Sequence, residues 1–467
     1  MVVELVLFSF IVLFVAIGYI TKDRDGSAES YHLADRSLNK WLVGISAGAT
    51  ANSGFIVVGA VGMGYTMGIS SLLYPLAWLI GDLLFWNLFA GKVRGMESVK
   101  SSLTVSEVLT FFNGDKNLKI ISATVIFLLL CIYASSQLIA STKIVASFSD
   151  ISDSLAITLS FLFVMAYTMW GGFKSSVYTD IVQGFMMVLL TLGILVWGVD
   201  KVGGVSGFFQ GIEAISNSYA SLLGENSLFT LFSVVLGMLF TSLGFSLSQP
   251  QVITRVFAAK DEQEVQSAKW IYISFLHFTW IGMSLIGMVV KLLLPDIADA
   301  EIALPILSKE HFSDVIVGFV FASMIATVLS SVDSMIVSAA SIVSLDFEVE
   351  KRGKNTKRLH KIVILGVGFV TLFFALFLKS TVFTIALYSV SIMSASIGSA
   401  MIMLIVGITN RANVLKLTIL TGLFSAIGWR VFGLNSFVSE TFIGMFCAIL
   451  VGYLFEIYQR ERETFSA

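Results

Sequence analysis

The feature that most constrains this chain is a series of apolar runs, each near the length of a membrane-crossing helix, repeated from end to end. They fall at 2–20, 41–65, 70–90, 119–141, 154–170, 179–199, 229–250, 270–294, 314–345, 361–378, 381–408, 414–432 and 436–457. About 20 apolar residues of helix cross a bilayer, so an all-α integral membrane protein of about 13 transmembrane helices is expected. Composition agrees, with 56% hydrophobic residues, 13% charged and a mean hydropathy of +0.89. No soluble globule of 467 residues buries so much apolar side chain.

The same composition narrows the function. A formal net charge of -2 carries no nucleic-acid signal. Cys131 and Cys447 both lie in apolar runs, so no disulfide framework or metal pattern is implied. His32, His277, His311 and His360 are scattered, with no ligand pair at helical spacing. With no nucleophile–base arrangement and no phosphate-cradling glycine loop, an enzyme is not expected.

Charge placement sets the expected orientation. Glu4 lies in the first run, while Lys22 and Arg24 follow it, the reverse of a secretory leader. With the N-terminus outside, only Lys143, Lys201, Lys291, Lys309, Lys379 and Arg430 of the 29 basic residues fall in outer segments. Positive charge resists translocation, which favours an outside N-terminus and a cytoplasmic C-terminus in a multi-pass protein of the cell membrane. The densest basic block, 351–361, reads as an inner loop near anionic lipid or as an ordinary solvated loop. The outer segment 200–228 is expected to form short helices or a cap. The inner loop 91–118 suggests a helix around Leu103–Phe112, with Thr104 as N-cap and Glu107 at capping-box spacing. All of 1–467 is then one polytopic membrane domain.

Polar chemistry concentrates at 321–346, where Thr327, Ser330, Ser331, Asp333 and Ser334 sit inside an apolar helix. A carboxylate and hydroxyls are costly in hydrocarbon and should face the protein interior or water. Hard oxygen ligands suit a small hard cation, hence cation-coupled transport. The same residues also suit a polar seam between helices.

Two of the runs look broken. Gly48, Asn52, Ser53 and Gly54 crowd the middle of 42–65, and Ser242, Gly244, Ser246, Ser248 and Pro250 interrupt 237–261. Helix propensity collapses at such clusters. Unwound backbone at membrane depth survives only where it is buried or lines a cavity, where its carbonyls can hold a cation. Small-residue packing is the competing explanation. The breaks lie five runs apart, the pointer to two inverted halves. Asp180 opens the run 179–199 behind Gly171 and Gly172, where it also suits a helix N-terminus. Asp82, in the run 70–90, suits pairing with Lys92 or Arg94.

The segments YTMWGGFKSSVYTDIVQG, SQPQVITRVFAAKD and ATVLSSVDS…SLDF, in this order, resemble the sodium:solute symporter family over about residues 30–410. That resemblance implies a leucine-transporter-like core of 5+5 inverted-repeat helices. The first repeat would span 41–199 and the second 229–408, with an extra N-terminal helix at 2–20 and extra C-terminal helices at 414–457. It implies Na⁺ at a central site made by carbonyls of Ala49, Asn52 and Thr327 and hydroxyls of Ser330 and Ser331. It further implies a second cation or proton site at Asp180, Asp333 and Ser334, where Asp333 departs from the hydroxyl of the family pattern. For the solute it suggests Ser53, Tyr74, Tyr133, Gln137, Phe245, Ser246 and Gln249. Proline carriers of the family hold Trp and Tyr eight and four residues before the proline of the QP motif. Here Ser242 and Ser246 stand there. Sialic acid carriers use an arginine on the third core helix, and 119–141 has none.

The expected function is sodium-coupled import of a small organic solute by alternating access in the bilayer, with an amino acid such as proline first in line. The alternatives are a proton-coupled carrier, a channel, or a transporter-like sensor. Against the sensor, only a short charged tail, EIYQRERETFSA, follows the last run, with no output domain.

Overall fold

The computed structural model describes residues 2–21, 28–149, 151–169, 173–349 and 356–466. Lys22, Arg24, Gly171, Gly172 and the 351–355 part of the basic block lie outside them. Among the described residues every regular element is helical, with one isolated bridge between Leu38 and Ala259.

In chain order the principal helices are α1 (Val2–Thr21), α2 (Lys40–Ala51), α3 (Val61–Met67), α4 (Leu73–Leu84), α5 (Lys116–Phe148), α6 (Asp153–Thr168), α7 (Phe173–Lys201) and α8 (Gly204–Ile215). Then come α9 (Leu228–Ser248), α10 (Pro250–Phe257), α11 (Glu262–Leu293), α12 (Asp314–Ser341), α13 (Thr356–Phe377), α14 (Val382–Met393), α15 (Ser399–Ile405), α16 (Ala412–Val431) and α17 (Glu440–Ser466). Ten helical stretches among the described residues are long and apolar enough to cross a membrane; Asp153–Met165 and Lys361–Phe377 are apolar but shorter. The first broken helix joins α2, of 12 residues, to the helical stretch 55–67, and the chain then turns at Gly68, whose φ is +60°, before α4 begins.

Burial sorts the helices. Asp314–Asp346 and Val382–Ile405 are mostly buried, whereas α1, α16 and α17 leave large apolar side chains exposed, as lipid contact requires. Close crossings use glycine. A Cβ on Gly64 would collide with the Ser284 carbonyl, and one on Gly287 with the Val61 carbonyl, so α3 and α11 meet backbone to backbone.

The connecting segments follow their local chemistry. In 200–228, α8 buries Phe208 and Ile212, and Tyr219 donates its hydroxyl to the Gly64 carbonyl at 2.8 Å, capping α3. Water-poor surroundings raise the Tyr219 phenol above its ordinary pKa. In 91–118 the helix Val105–Thr110 forms, with Thr104 Oγ1 accepting from the Glu107 amide at 3.1 Å. Glu107 reaches back to the Leu103 amide at 2.9 Å, one residue before the position a capping box predicts.

Candidate functional site

The first break is short and held from outside. After α2, Asn52 leaves helical geometry and its amide closes on Gly48 O at 2.8 Å. The Ser53 amide turns to Ala51 O at 3.1 Å, and the Gly54 amide donates to Gln137 Oε1 of α5 at 2.7 Å. In a continuous helix these two amides would bond to Ala49 O and Thr50 O. Those carbonyls are instead taken by α12, Ser330 Oγ donating to Ala49 O and Ser331 Oγ to Thr50 O, each at 2.9 Å. Ser330 Oγ also lies 3.1 Å from Thr327 O. Gly54 is required here, because a Cβ would stand 2.6 Å from Ala140 Cβ and 2.9 Å from Gln137 Oε1.

Four of the five expected central ligands therefore converge: Ala49, Thr327, Ser330 and Ser331. Asn52 stands at the break itself, its side chain donating to Thr279 Oγ1 at 2.5 Å. Thr50 was not anticipated, although it enters through the same rule of freed carbonyls.

The second cluster lies on the same helices and is charged. Asp180 Oδ2 of α7 accepts from Ser46 Oγ at 2.6 Å and Thr50 Oγ1 at 3.3 Å, both on α2. Arg255 of α10 points into this cluster, 1% exposed, with Nη2 at 3.2 Å from Asp180 Oδ2 and 2.8 Å from Ser334 Oγ. Its Nε donates to Ser46 Oγ at 3.1 Å, and its guanidinium stacks on Phe173 at 5.0 Å. Ser176 Oγ and Ser334 Oγ are 2.9 Å apart. Asp333, buried beside this group, accepts its neighbour's Ser334 amide at 2.6 Å. The cluster thus brings two carboxyl groups to one guanidinium, and with both carboxyls ionised it would carry one net negative charge.

Arg255 is the residue that sequence reasoning missed. It follows an apolar run, so it reads as an inner-loop charge; the signal was its place one helical turn beyond the Pro250 break, on the largely apolar helix VITRVF.

The second break differs from the one expected. Ser242, Gly244, Ser246 and Ser248 are all helical within α9, and only Gln249 leaves helical geometry before Pro250 starts α10. Pro at the first helical position needs no amide partner.

A cavity of about 20 Å³ lies between the broken helices. Its lining includes Phe55, Trp78, Tyr133, Phe245 and Trp280. Their rings interlock, Phe55 to Trp280 at 5.0 Å and Trp78 to Phe245 at 5.3 Å. Such a volume accommodates about one water, so a solute requires the walls to move. Of the seven suggested solute residues, Tyr133 and Phe245 line this cavity. Ser53 Oγ sits beside Tyr133 at 3.3 Å, and Tyr74 packs behind Phe383 at 5.7 Å. Gln137 is occupied by the Gly54 amide. Gln249 Oε1 accepts from Gln251 at 3.0 Å, and Ser246 lies beside Asp82 and Tyr272, off the cavity. Nor does Asp82 meet Lys92 or Arg94, since Arg94 donates to the Ala259 and Lys260 carbonyls.

Comparisons with known proteins give the chain's relatives by sequence and by fold. The chain is 25% identical over 406 residues to the osmoregulated proline transporter of Bacillus subtilis (strain 168), covering 84% of this chain and 82% of that one. It is 24% identical over 366 residues to a sodium/proline symporter of Staphylococcus aureus (strain JH9), covering 77% and 70% respectively. In fold it matches a Na⁺-coupled sialic acid symporter solved in a substrate-bound outward-open state, with a TM-score of 0.82 over 98% of both chains at 19% identity. A more distant likeness, TM-score 0.54 at 14% identity over 90% of this chain and 97% of the other, is to MhsT in complex with L-phenylalanine. The profile of the sodium:solute symporter family matches residues 31–428. This multi-pass membrane protein, a transporter and not an enzyme, therefore belongs to the sodium:solute symporter family.

Proposed function

We propose that the protein imports a compact zwitterionic solute, proline first, driven by Na⁺ bound between α2 and α12. The observation that carries this reading is the meeting of Ser330 and Ser331 hydroxyls with the Ala49 and Thr50 carbonyls that the first break frees. Neutral oxygens from a broken and an unbroken helix make a site suited to a weakly held monovalent cation. Ala49, Asn52, Thr327, Ser330 and Ser331 are its ligands in this reading. Asp180, Asp333 and Ser334 form a second site, for a cation or a proton, that answers the residual negative charge beside Arg255. The solute occupies the aromatic-lined cavity once its walls part. Names of the relatives favour proline, and an apolar ring suits the Phe55, Trp78, Phe245 and Trp280 rings.

The architecture proposed with it is thirteen spans in a cell membrane, N-terminus outside and C-terminus cytoplasmic. Two inverted repeats, 41–199 and 229–408, would then rock about the breaks. Sodium favours one state only through its differential affinity, and its coupling to solute is reciprocal.

The test is thermal unfolding of the detergent-purified protein in sodium against equimolar potassium, with and without proline. Sodium should raise the midpoint, proline should add to the rise only in sodium, and Ser331→Ala should abolish both shifts. A ligand at 100 times its Kd stabilises by about 2.7 kcal/mol, ample for detection. Equal midpoints in both salts would overturn the sodium reading and leave proton-coupled carriage through Asp180 and Asp333.

A further inference from the structure

A third polar cluster lies away from both proposed ion sites, between α4, α9 and α11. Asp82 of α4 is fully buried. Its Oδ1 accepts from Ser242 Oγ of α9 at 2.9 Å, and its Oδ2 faces His277 Nε2 of α11 at 3.9 Å. Asp82 Oδ2 and His277 Nε2, both buried, meet no hydrogen-bond partner at normal geometry among the described residues, and the Ser246 hydroxyl stands where it can turn to Asp82 or to Tyr272. A carboxylate oxygen and a ring nitrogen left facing each other are unusual in a folded interior.

The tautomer of His277 sharpens the point. Nδ1 lies 3.0 Å from the Ile273 carbonyl, which can only accept, so Nδ1 carries a hydrogen. In the neutral ring Nε2 is then an acceptor, and it faces a carboxylate oxygen, a second acceptor. The Pro75 carbonyl, also near the ring, accepts as well. The groups facing the pair are Ser242 and Ser246 from α9, Tyr272 from α11, and no lysine or arginine within ion-pair distance among the described residues. A bare carboxylate cannot stay there uncompensated. The arrangement is short of one proton.

We infer that Asp82 and His277 form a proton-binding site, taking up a single proton on Oδ2 or Nε2 and releasing it when the site deprotonates. Whether the proton rests on oxygen or nitrogen, the count is one. Binding lets Oδ2 and Nε2 close from 3.9 Å to a hydrogen bond between α4 and α11, and release leaves two acceptors facing each other. Both helices also line the solute cavity, through Trp78 one turn before Asp82 and Trp280 one turn after His277. Protonation therefore sets how tightly two walls of that cavity are held together. This inference stands on the Asp82 geometry and needs neither sodium nor an identified solute.

The test is infrared difference spectroscopy of the full-length purified protein between acidic and alkaline pH, in potassium. A carbonyl-stretch band of a protonated carboxyl, present in the wild type and lost at alkaline pH, should be missing from Asp82→Asn. The side-chain amide that this substitution introduces can donate to Nε2, so the variant should fold and lose the pH dependence of its thermal midpoint that Asp82 contributes. In His277→Gln the band should persist at a shifted frequency, because its hydrogen-bond acceptor has changed. Superimposable difference spectra for wild type and Asp82→Asn would overturn the inference. Should Asp82→Asn fail to fold, an unshifted band in His277→Gln would do the same.

Discussion

The two helix breaks solve one problem in opposite ways. The first frees two residues, Asn52 and Ser53, and hands the Gly54 amide, the Asn52 side chain and the Ala49 and Thr50 carbonyls to other helices: Gln137 of α5, Thr279 of α11, Ser330 and Ser331 of α12. The second frees Gln249 alone and is settled locally, by Pro250 at the helix start and by Gln251 donating to Gln249 Oε1. A break held from outside reports to its neighbours, and its oxygens remain exchangeable between hydroxyls and an ion. A break settled locally is a fixed corner. Its task is to aim α10, the helix that carries Arg255. Neutral oxygens gather at the first break, and charge is delivered by the second.

Removing that charge should have the largest effect. Arg255→Met leaves Asp180 and Asp333 buried without their guanidinium, a loss of about 3–5 kcal/mol when one member of a buried pair is removed. Reversible unfolding of the purified protein should show it. Asp180→Asn on the same background should recover most of the loss, which a double-mutant cycle reads directly. If a cation also occupies this cluster, sodium should stabilise Arg255→Met more than the wild type. An additive cycle would mean that Arg255 and Asp180 are neighbours without being partners.

Next comes the outside support of the first break. Gly54→Ala pushes a methyl against Ala140 and Gln137, an overpacking cost of about 1–3 kcal/mol. Gln137→Leu removes the acceptor of the Gly54 amide and should cost a similar about 1–3 kcal/mol for an unpaired buried donor. Both should also lower the sodium-induced thermal shift, because the amides they release compete for the Ala49 and Thr50 carbonyls. A loss of stability with an unchanged sodium shift would separate the break from the ion site.

Much of this was legible in the sequence, and the illegible parts share a cause. Helix-length apolar runs are forced by a bilayer, and Gly-Ser-Asn clusters mark where a helix loosens, so the ranges 42–65 and 237–261 were found without a structure. The extent of each break was not. Serine is tolerated in a helix when its hydroxyl has company, and Ser242 finds Asp82, so α9 runs on to Ser248. Gln137 was read as a solute contact because a buried amide suits either role; only the path of α5 past Gly54 decides. Arg255 went unremarked and Asp82 was misplaced for the same reason. Asp82 was assigned to charges near in sequence, and the partners of the two, Asp180 at 75 residues and Ser242 at 160, become neighbours only when the helices pack.

The smallest effect tests the locally settled break. Pro250→Ala restores an amide at the start of α10 and loosens the unfolded chain. The cost should be about 0.4–1 kcal/mol, mostly through the unfolded state. Gln249 should keep its non-helical geometry, since Gln251 and the hydrogen bond from the Gln249 amide to Phe245 O remain. Arg255 should then stay on Asp180, and the sodium shift should match the wild type. Thermal unfolding in sodium and potassium measures both at once. Should Pro250→Ala instead lose as much as Arg255→Met, the corner would be set by proline alone, and the aim of Arg255 would depend on it rather than on the surrounding hydroxyls of Ser46 and Ser334.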